Sequence, residues 1–253
     1  HGPMGFCDLD QQGMLIEGFD YDGIFITINN APYYKEHMER LGYGKSVDWI
    51  ENRIKIPTKT PEIFDKMTER VLKENKLKVV EIKNRFQLRK YIKYIFDVVN
   101  DTEKELYGEV DLSDAQIRKY VKQFIMMVNV RFISLIVNEK DEMVGIGVTV
   151  PSMGHASKKS HGRLFPFGWA RLLYAPYSKP ETLELYLVGV RDAYKNKGLP
   201  LILMNQILKS AMKDGMKYAE TGPMLEDNIK VQSMWKRFDK IQHRRRRCWI
   251  KEL

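Results

Sequence analysis

Cysteine is almost missing from this sequence: Cys7 and Cys248 are the only two in 253 residues. That excludes a disulfide framework, and it excludes a zinc site unless histidines contribute. Long apolar runs are missing too. The densest stretches, Phe124 to Val128 and Phe132 to Val137, fall far short of the roughly 18–20 residues that a membrane helix needs. No signal peptide is visible, and the chain opens on His1-Gly2-Pro3 rather than on Met. The opening reads either as a processed fragment whose front is missing or as a chain that begins on a residue not its own. The expected setting is reducing and cytoplasmic, with no membrane partner.

What is present is a globular composition. Hydrophobic residues make up 43% of the chain and charged residues 30%, so disorder is excluded for most of it. The length suits one large domain or two small ones. The net charge of +9 favours anionic partners: nucleic acid, phosphorylated cofactors or an acidic surface. Much of the excess lies at the end, where Lys240, Arg244, Arg245, Arg246, Arg247 and Lys251 outnumber Asp239 and Glu252. This tail reads either as an edge strand protected by its charge or as a patch for phosphate or RNA.

Pro57, Thr58, Thr60 and Pro61 interrupt the pattern, and a polar helical segment follows (Glu62 to Asn75). Residues 57–76 therefore read as a linker between two units, 1–56 and 77–253. The second unit has a legible order. Leu77 to Lys83 alternates as a strand, and Phe86 to Val99 carries apolar residues at helical spacing. Ser113 with Gln116 resembles a capping box that opens a helix to about Met127. Arg131–Val137 and Met143–Val150 flank Asn138-Glu139-Lys140-Asp141 as a hairpin. After an irregular insert come a strand at Leu183–Val190, a helix from Pro200 to Lys213 that stops at Gly215, and a short strand at Tyr218–Thr221. Asp227–Phe238 reads as a helix and Ile241–Lys251 as the last strand. The order implies α+β layers around one mixed sheet.

The chain also echoes itself. Gly2-Pro3-Met4 leads through a helical stretch near Tyr33–Tyr43 to Asp48-Trp49-Ile50. Gly222-Pro223-Met224 leads through Ser233–Phe238 to Cys248-Trp249-Ile250.

The run Leu187-Val188-Gly189-Val190, then Arg191–Tyr194, then Lys195-Asn196-Lys197-Gly198-Leu199-Pro200 and a helix from Leu201 resembles the GNAT acetyltransferase superfamily. That superfamily joins an apolar strand to a (Gln/Arg)-x-x-Gly-x-(Gly/Ala) loop and a helix. The resemblance covers residues 77–253 as a complete unit and residues 1–56 as the closing part of a preceding one. Gly2-Pro3-Met4, Gly18-Phe19-Asp20, Asn30-Ala31-Pro32-Tyr33-Tyr34 and the stretch Gly162–Trp169 are similar to uncharacterised tandem GNAT-like bacterial proteins. The implied fold is α+β, with a mixed, mostly antiparallel central sheet flanked by helices.

The resemblance implies acetyl-CoA or another acyl-CoA as cofactor. Its pyrophosphate would meet backbone N–H groups of the loop and helix N-terminus, with Lys195, Lys197 and Gly198 as contacts. Lys195 stands where Gln or Arg is usual and loses the planar fork. Pro200 stands where Gly or Ala is usual and brings no N–H. Glu184 occupies the strand position of the family's base, and Glu184 with Tyr186 forms the candidate catalytic pair. Alternation also permits a solvent-facing carboxylate there. The N–H of Val188 or Val190 would stabilise the oxyanion. The family's acid, a Tyr on the last helix, is matched by Trp235, which cannot donate a useful proton. Asn228 matches a residue that contacts the cofactor's pantetheine arm, or else caps a helix.

The insert Pro151–Pro180 is long for a connection. Its Arg163, Phe165, Phe167 and Trp169 suit a substrate pocket, or a flap covering the core. His155 and His161 have no partner ligands, so no metal site is expected. The leading reading is an acyl-CoA-dependent N-acyltransferase with a small-molecule or peptide amine as acceptor. The alternatives are a transferase using aminoacyl-tRNA, for which the arginine tail would bind tRNA, and a silent GNAT fold kept as a binding module.

Overall fold

The structure is a computed structural model that describes residues 1–5, 10–103, 113, 115–116, 118–120, 128–178 and 180–252. In chain order the elements are β1 (Met14–Glu17), α1 (Tyr34–Arg40), β2 (Gly44–Lys55), α2 (Glu62–Glu74), β3 (Lys78–Val80), α3 (Arg85–Glu103), β4 (Ile133–Val137) and β5 (Met143–Pro151). Then follow α4 (Gly154–Lys159), α5 (Gly168–Tyr174), β6 (Thr182–Val190), α6 (Leu199–Lys213), β7 (Tyr218–Thr221), β8 (Met224–Leu225), α7 (Ile229–Met234) and β9 (Lys240–Ile250). The helix expected between Ser113 and Met127 lies largely outside the described residues. Its start is seen: Ser113 N–H donates to Gln116 Oε1 at 3.0 Å, and Gln116 N–H reaches Ser113 Oγ at 3.5 Å.

One sheet runs in the order β1-β9-β2-β7-β6-β5-β4-β3, with β8 beside β2. The β6–β7 pair is parallel and the other named pairs are antiparallel. Residues 77–253 do not make this sheet alone, because β2 of the early segment stands between β7 and β9. Nor is β9 an edge strand, since β1 covers its other side.

That placement decides the fate of the arginine tail. Arg244 and Arg246 are buried, as is Glu51 across from them on β2. Arg246 Nε lies 2.6 Å from Glu51 Oε1, and Arg244 Nε lies 3.7 Å from Glu51 Oε2. On the other face Arg247 grips Asp48 with two bonds, at 2.8 and 2.9 Å. Arg245 bonds Asp48 at 3.0 Å and also pairs with Glu226. The tail is thus neither a solvated edge nor an open phosphate patch. Its charges are matched one strand away, as burial demands.

Each face of the sheet is covered. On one, α6 packs Ile207, Leu208 and Ala211 against Leu183 and Leu185 of β6. Behind α6 lies α2, from the segment read as a linker; Asp65 and Thr68 accept bonds from Asn205 Nδ2 at 2.9 and 3.1 Å. On the other face α3 buries Leu88, Tyr91, Ile95 and Val98 with Met153 and Ala175 of the insert. These α3 positions are three and four apart, the spacing of one helix face. The stretch from Gly18 to Pro32 crosses the sheet without regular structure and buries Ile24. Gly18 makes the crossing possible. Its φ is +83°, and a Cβ there would lie 2.0 Å from the carbonyl oxygen of His243.

Candidate active site

The sheet opens between β6 and β7. Their ladder runs from Thr182↔Tyr218 to Leu185↔Thr221 and closes with Gly222 N–H on Leu185 O at 3.0 Å. The two strands part after Leu185, well before β6 ends at Val190. One feature accompanies the parting. On β6 the register against β5 passes from Leu185 to Leu187, which leaves Tyr186 as a bulge. Bulges re-aim side chains and end pairing.

Past this point one edge of β6 is open. Arg191 N–H bonds Val144 O on β5 at 2.9 Å. Alternation along a strand then turns the N–H groups of Val190 and Val188 to the opposite edge, where β7 has left.

Glu184 sits at the apex of the opening. It is only 1% exposed, so it is not the solvent-facing carboxylate that alternation permitted. Its Oε2 accepts the Phe25 N–H at 3.0 Å and the Tyr186 hydroxyl at 2.7 Å, while Oε1 has no partner. Burial pushes the carboxyl above its ordinary range. The Phe25 and Tyr186 bonds and the nearby Ser152 hydroxyl oppose that rise, and the charge of Glu220 adds to it. Burial, and then the Glu184 charge, push the Tyr186 hydroxyl well above the usual tyrosine value.

Sequence reasoning missed the rest of this cluster. Glu220 lies beside Glu184 in the parallel register. His243 Nε2 is 2.6 Å from Glu220 Oε2. The β2–β9 register skips His243, and this bulge brings His243 and Arg244 to one face. Tyr21 contacts the His243 ring edge-on at 4.8 Å, and Asn29 Oδ1 accepts from Arg244 Nη2 at 2.6 Å. The roof is therefore the Gly18–Pro32 stretch, which has no periodicity to announce it. In the sequence His243 is merely close to Cys248; in the structure it faces Glu220, and Cys248 is fully buried.

The remaining expected residues are dispersed around this apex. Gly198, at φ +78°, begins α6. Among the described residues no backbone acceptor takes the N–H of Asn196, Gly198 or Leu199, so three donors gather at this helix N-terminus, where an anion is favoured. Lys195 does not extend to them: its Nζ bonds Asp192 at 2.7 Å and Asp101 O at 3.0 Å. Lys197 Nζ rests over the Tyr194 ring, 4.6 Å from its centre. Asn228 is the N-cap of α7, its Oδ1 accepting from Val231 N–H at 3.2 Å. Trp235 is buried, with its N–H on Met224 Sδ at 3.2 Å. Arg163, Phe165, Phe167 and Trp169 face solvent rather than an enclosed pocket.

Known proteins were compared with this architecture. No family model matches the chain. Two solved structures superpose over 94% of it: a GCN5-related N-acetyltransferase from Sphaerobacter thermophilus, with TM-score 0.52, 12% identity and 58% of that chain covered, and a tandem GNAT protein from the clavulanic acid biosynthesis pathway, with TM-score 0.51, 11% identity and 62% covered. The fold is that of the GCN5-related N-acetyltransferases. Identity this low shows the GNAT fold alone. In sequence the chain is 25% identical to Protein YghO of Escherichia coli over its whole length. It is 24% identical to the bacterial ceramide synthase of Caulobacter vibrioides over 90% of its length. It spans 65% and 60% of those two relatives.

Proposed function

We propose that the protein is an acyl-CoA-dependent N-acyltransferase. One observation carries the reading: a buried carboxyl with a free oxygen, Glu184, stands at the apex of a splayed strand pair whose open edge presents the N–H groups of Val188 and Val190. Acyl transfer to an amine needs a proton acceptor and a stabilised oxyanion. Glu184 takes the proton from the attacking amine, and Tyr186 and the Phe25 N–H hold it in place. The N–H groups of Val188 and Val190 donate to the oxygen that gains charge. The donors at Asn196, Gly198 and Leu199, with Lys197 nearby, fit the pyrophosphate of a CoA thioester; Lys195 is held back by Asp192 and Asp101. When bound, the thioester would supply the activated acyl group; its C–S bond breaks as the amide forms, and CoA leaves as a thiolate that solvent can protonate. Asn228 would meet its pantetheine arm through the amide nitrogen that capping leaves unused.

The acceptor is an amine, and one relative, the bacterial ceramide synthase, supports a long-chain one. A ceramide is an amide of a fatty acid with a long-chain amino alcohol, so one relative is named for this reaction class. The Gly-Pro-Met echo supports a repeat of the GNAT-like unit. Gly2 exchanges two backbone bonds with Trp249, at 2.8 and 2.7 Å, and Met224 and Leu225 pair with Ile50 and Trp49. Each copy's turn thus lies against the other copy's Trp-Ile strand.

The test is product formation. The full chain is incubated with acetyl-CoA or a long-chain acyl-CoA and with short or long-chain amines, and amides are sought by mass spectrometry. Amide that disappears in Glu184→Gln supports the reading. A second reading, the silent binding module, is favoured by the buried Trp235 in place of an acid. Saturable CoA binding without amide from any pair would move it ahead. The aminoacyl-tRNA reading has lost its support from the arginine tail.

A further inference from the structure

The insert Pro151–Pro180 contains no Asp or Glu, yet it carries Lys158, Lys159, Arg163, Arg171 and Lys179. Its inner side is accounted for by Met153 and Ala175, which are buried against α3. Its outer side is not. Phe165 and Phe167 are 79% and 70% exposed, and Trp169, Leu173, Tyr174 and Tyr177 of the same insert also face solvent. Internal bonds hold this shape. Trp169 N–H reaches Leu164 O at 2.9 Å, and its indole N–H reaches Pro166 O at 3.1 Å. Arg171 Nη1 bonds Lys159 O at 3.0 Å.

Contiguous exposed apolar side chains on a folded surface mark a site of interaction. We propose that this face docks on the surface of an anionic phospholipid bilayer. Phe and Leu side chains enter the acyl boundary, while Trp and Tyr prefer the headgroup level, each having an apolar body and a polar tip. Lysines and arginines beside them are attracted to anionic lipid. Lys158 is held by Asp22; Lys159, Arg163 and Arg171 are exposed. A second copy of the chain fits less well, because facing copies would oppose these like charges. Docking needs no spanning helix, and among the described residues none is long and apolar enough to cross a membrane. The insert adjoins the site, since Ser152 reaches Glu184 and Lys158 ties α4 to the roof at Asp22. A long-chain amine would therefore be met where it partitions.

Trp169 is the natural reporter. Of the four tryptophans, Trp49, Trp235 and Trp249 are buried. The full chain is mixed with phosphatidylcholine vesicles with and without phosphatidylglycerol. With the anionic vesicles the protein should co-sediment, and its emission should shift to the blue; salt should weaken both effects. Phe165→Ser with Phe167→Ser should reduce binding at least tenfold, with the melting temperature unchanged because both side chains are exposed. Trp169→Phe should keep binding and lose the shift. Absence of binding, equal binding to both vesicle types, or a lipid-free dimer that buries Trp169 would overturn the proposal. The readout needs no turnover, so its failure is distinguishable from failure of the acyltransfer reading.

Discussion

A buried carboxyl with one oxygen unpartnered is costly to ionise, and Glu184 is built that way. Its raised pKa is also a statement about stability. Its neutral form contributes stability that is fully present below the unfolded pKa of about 4.3 and is lost as pH rises through the raised folded value. Glu184→Gln keeps an acceptor for Phe25 and Tyr186 but cannot ionise. It should therefore melt higher than the parent at neutral pH, and the gap should shrink as the pH falls through the acid range. A gap that stays constant with pH would show that Glu184 is not ionising at an elevated pKa. Tyr186→Phe removes a bond that favours the charged carboxylate. The acid limb of kcat/KM against pH should then move to higher pH, with activity recovering on the alkaline side. An unmoved limb would remove Tyr186 from the role of positioning Glu184.

At the scale of elements, β2 and β9 depend on their charges as much as on apolar contact. Glu51→Ala leaves Arg246 buried without the carboxylate it pairs with and takes the Glu51 charge away from Arg244. Breaking a buried pair from one side costs roughly 3–5 kcal/mol, so the urea midpoint should fall by that equivalent. A change below about 1 kcal/mol, the scale of a surface pair, would contradict the packing described. The turn into α6 carries its own test. A Cβ at residue 198 would sit at φ +78° and 3.3 Å from Val71 Cγ2, and the left-handed conformation alone costs roughly 1–2 kcal/mol. Gly198→Val should lower both stability and CoA affinity. Pro200→Gly restores an N–H and should tighten CoA binding, provided the helix start holds; calorimetry separates the two effects. Most of these elements were legible because each declares itself locally. The Asn138–Asp141 hairpin turn, Gly215 after α6 and the 3.6 period of α3 are short-range signals. Glu184 was legible as a position and not as an environment. Its burial depends on Phe25, 159 residues away in sequence, in a stretch with no periodicity. The arginine tail misled for the same reason, because its partners lie on β2, some two hundred residues earlier.

At the scale of the whole molecule, the early segment completes what the later one begins. It supplies β2 between β7 and β9, and it supplies the roof over Glu184. The aromatic insert adjoins that roof through Lys158 and Asp22. The central proposal is acyl transfer to an amine at the splayed β6–β7 edge, with Glu184 at its apex. The most direct test is a pH series of amide formation from acyl-CoA and a long-chain amine by the full chain and by Glu184→Gln. The account predicts that parent activity rises with pH through a value above the ordinary carboxylate range. It predicts a loss of roughly 100- to 10,000-fold in the variant, the size of a general-base contribution. Equal rates in the two proteins across that series, or no amide from the parent at any pH, would contradict it.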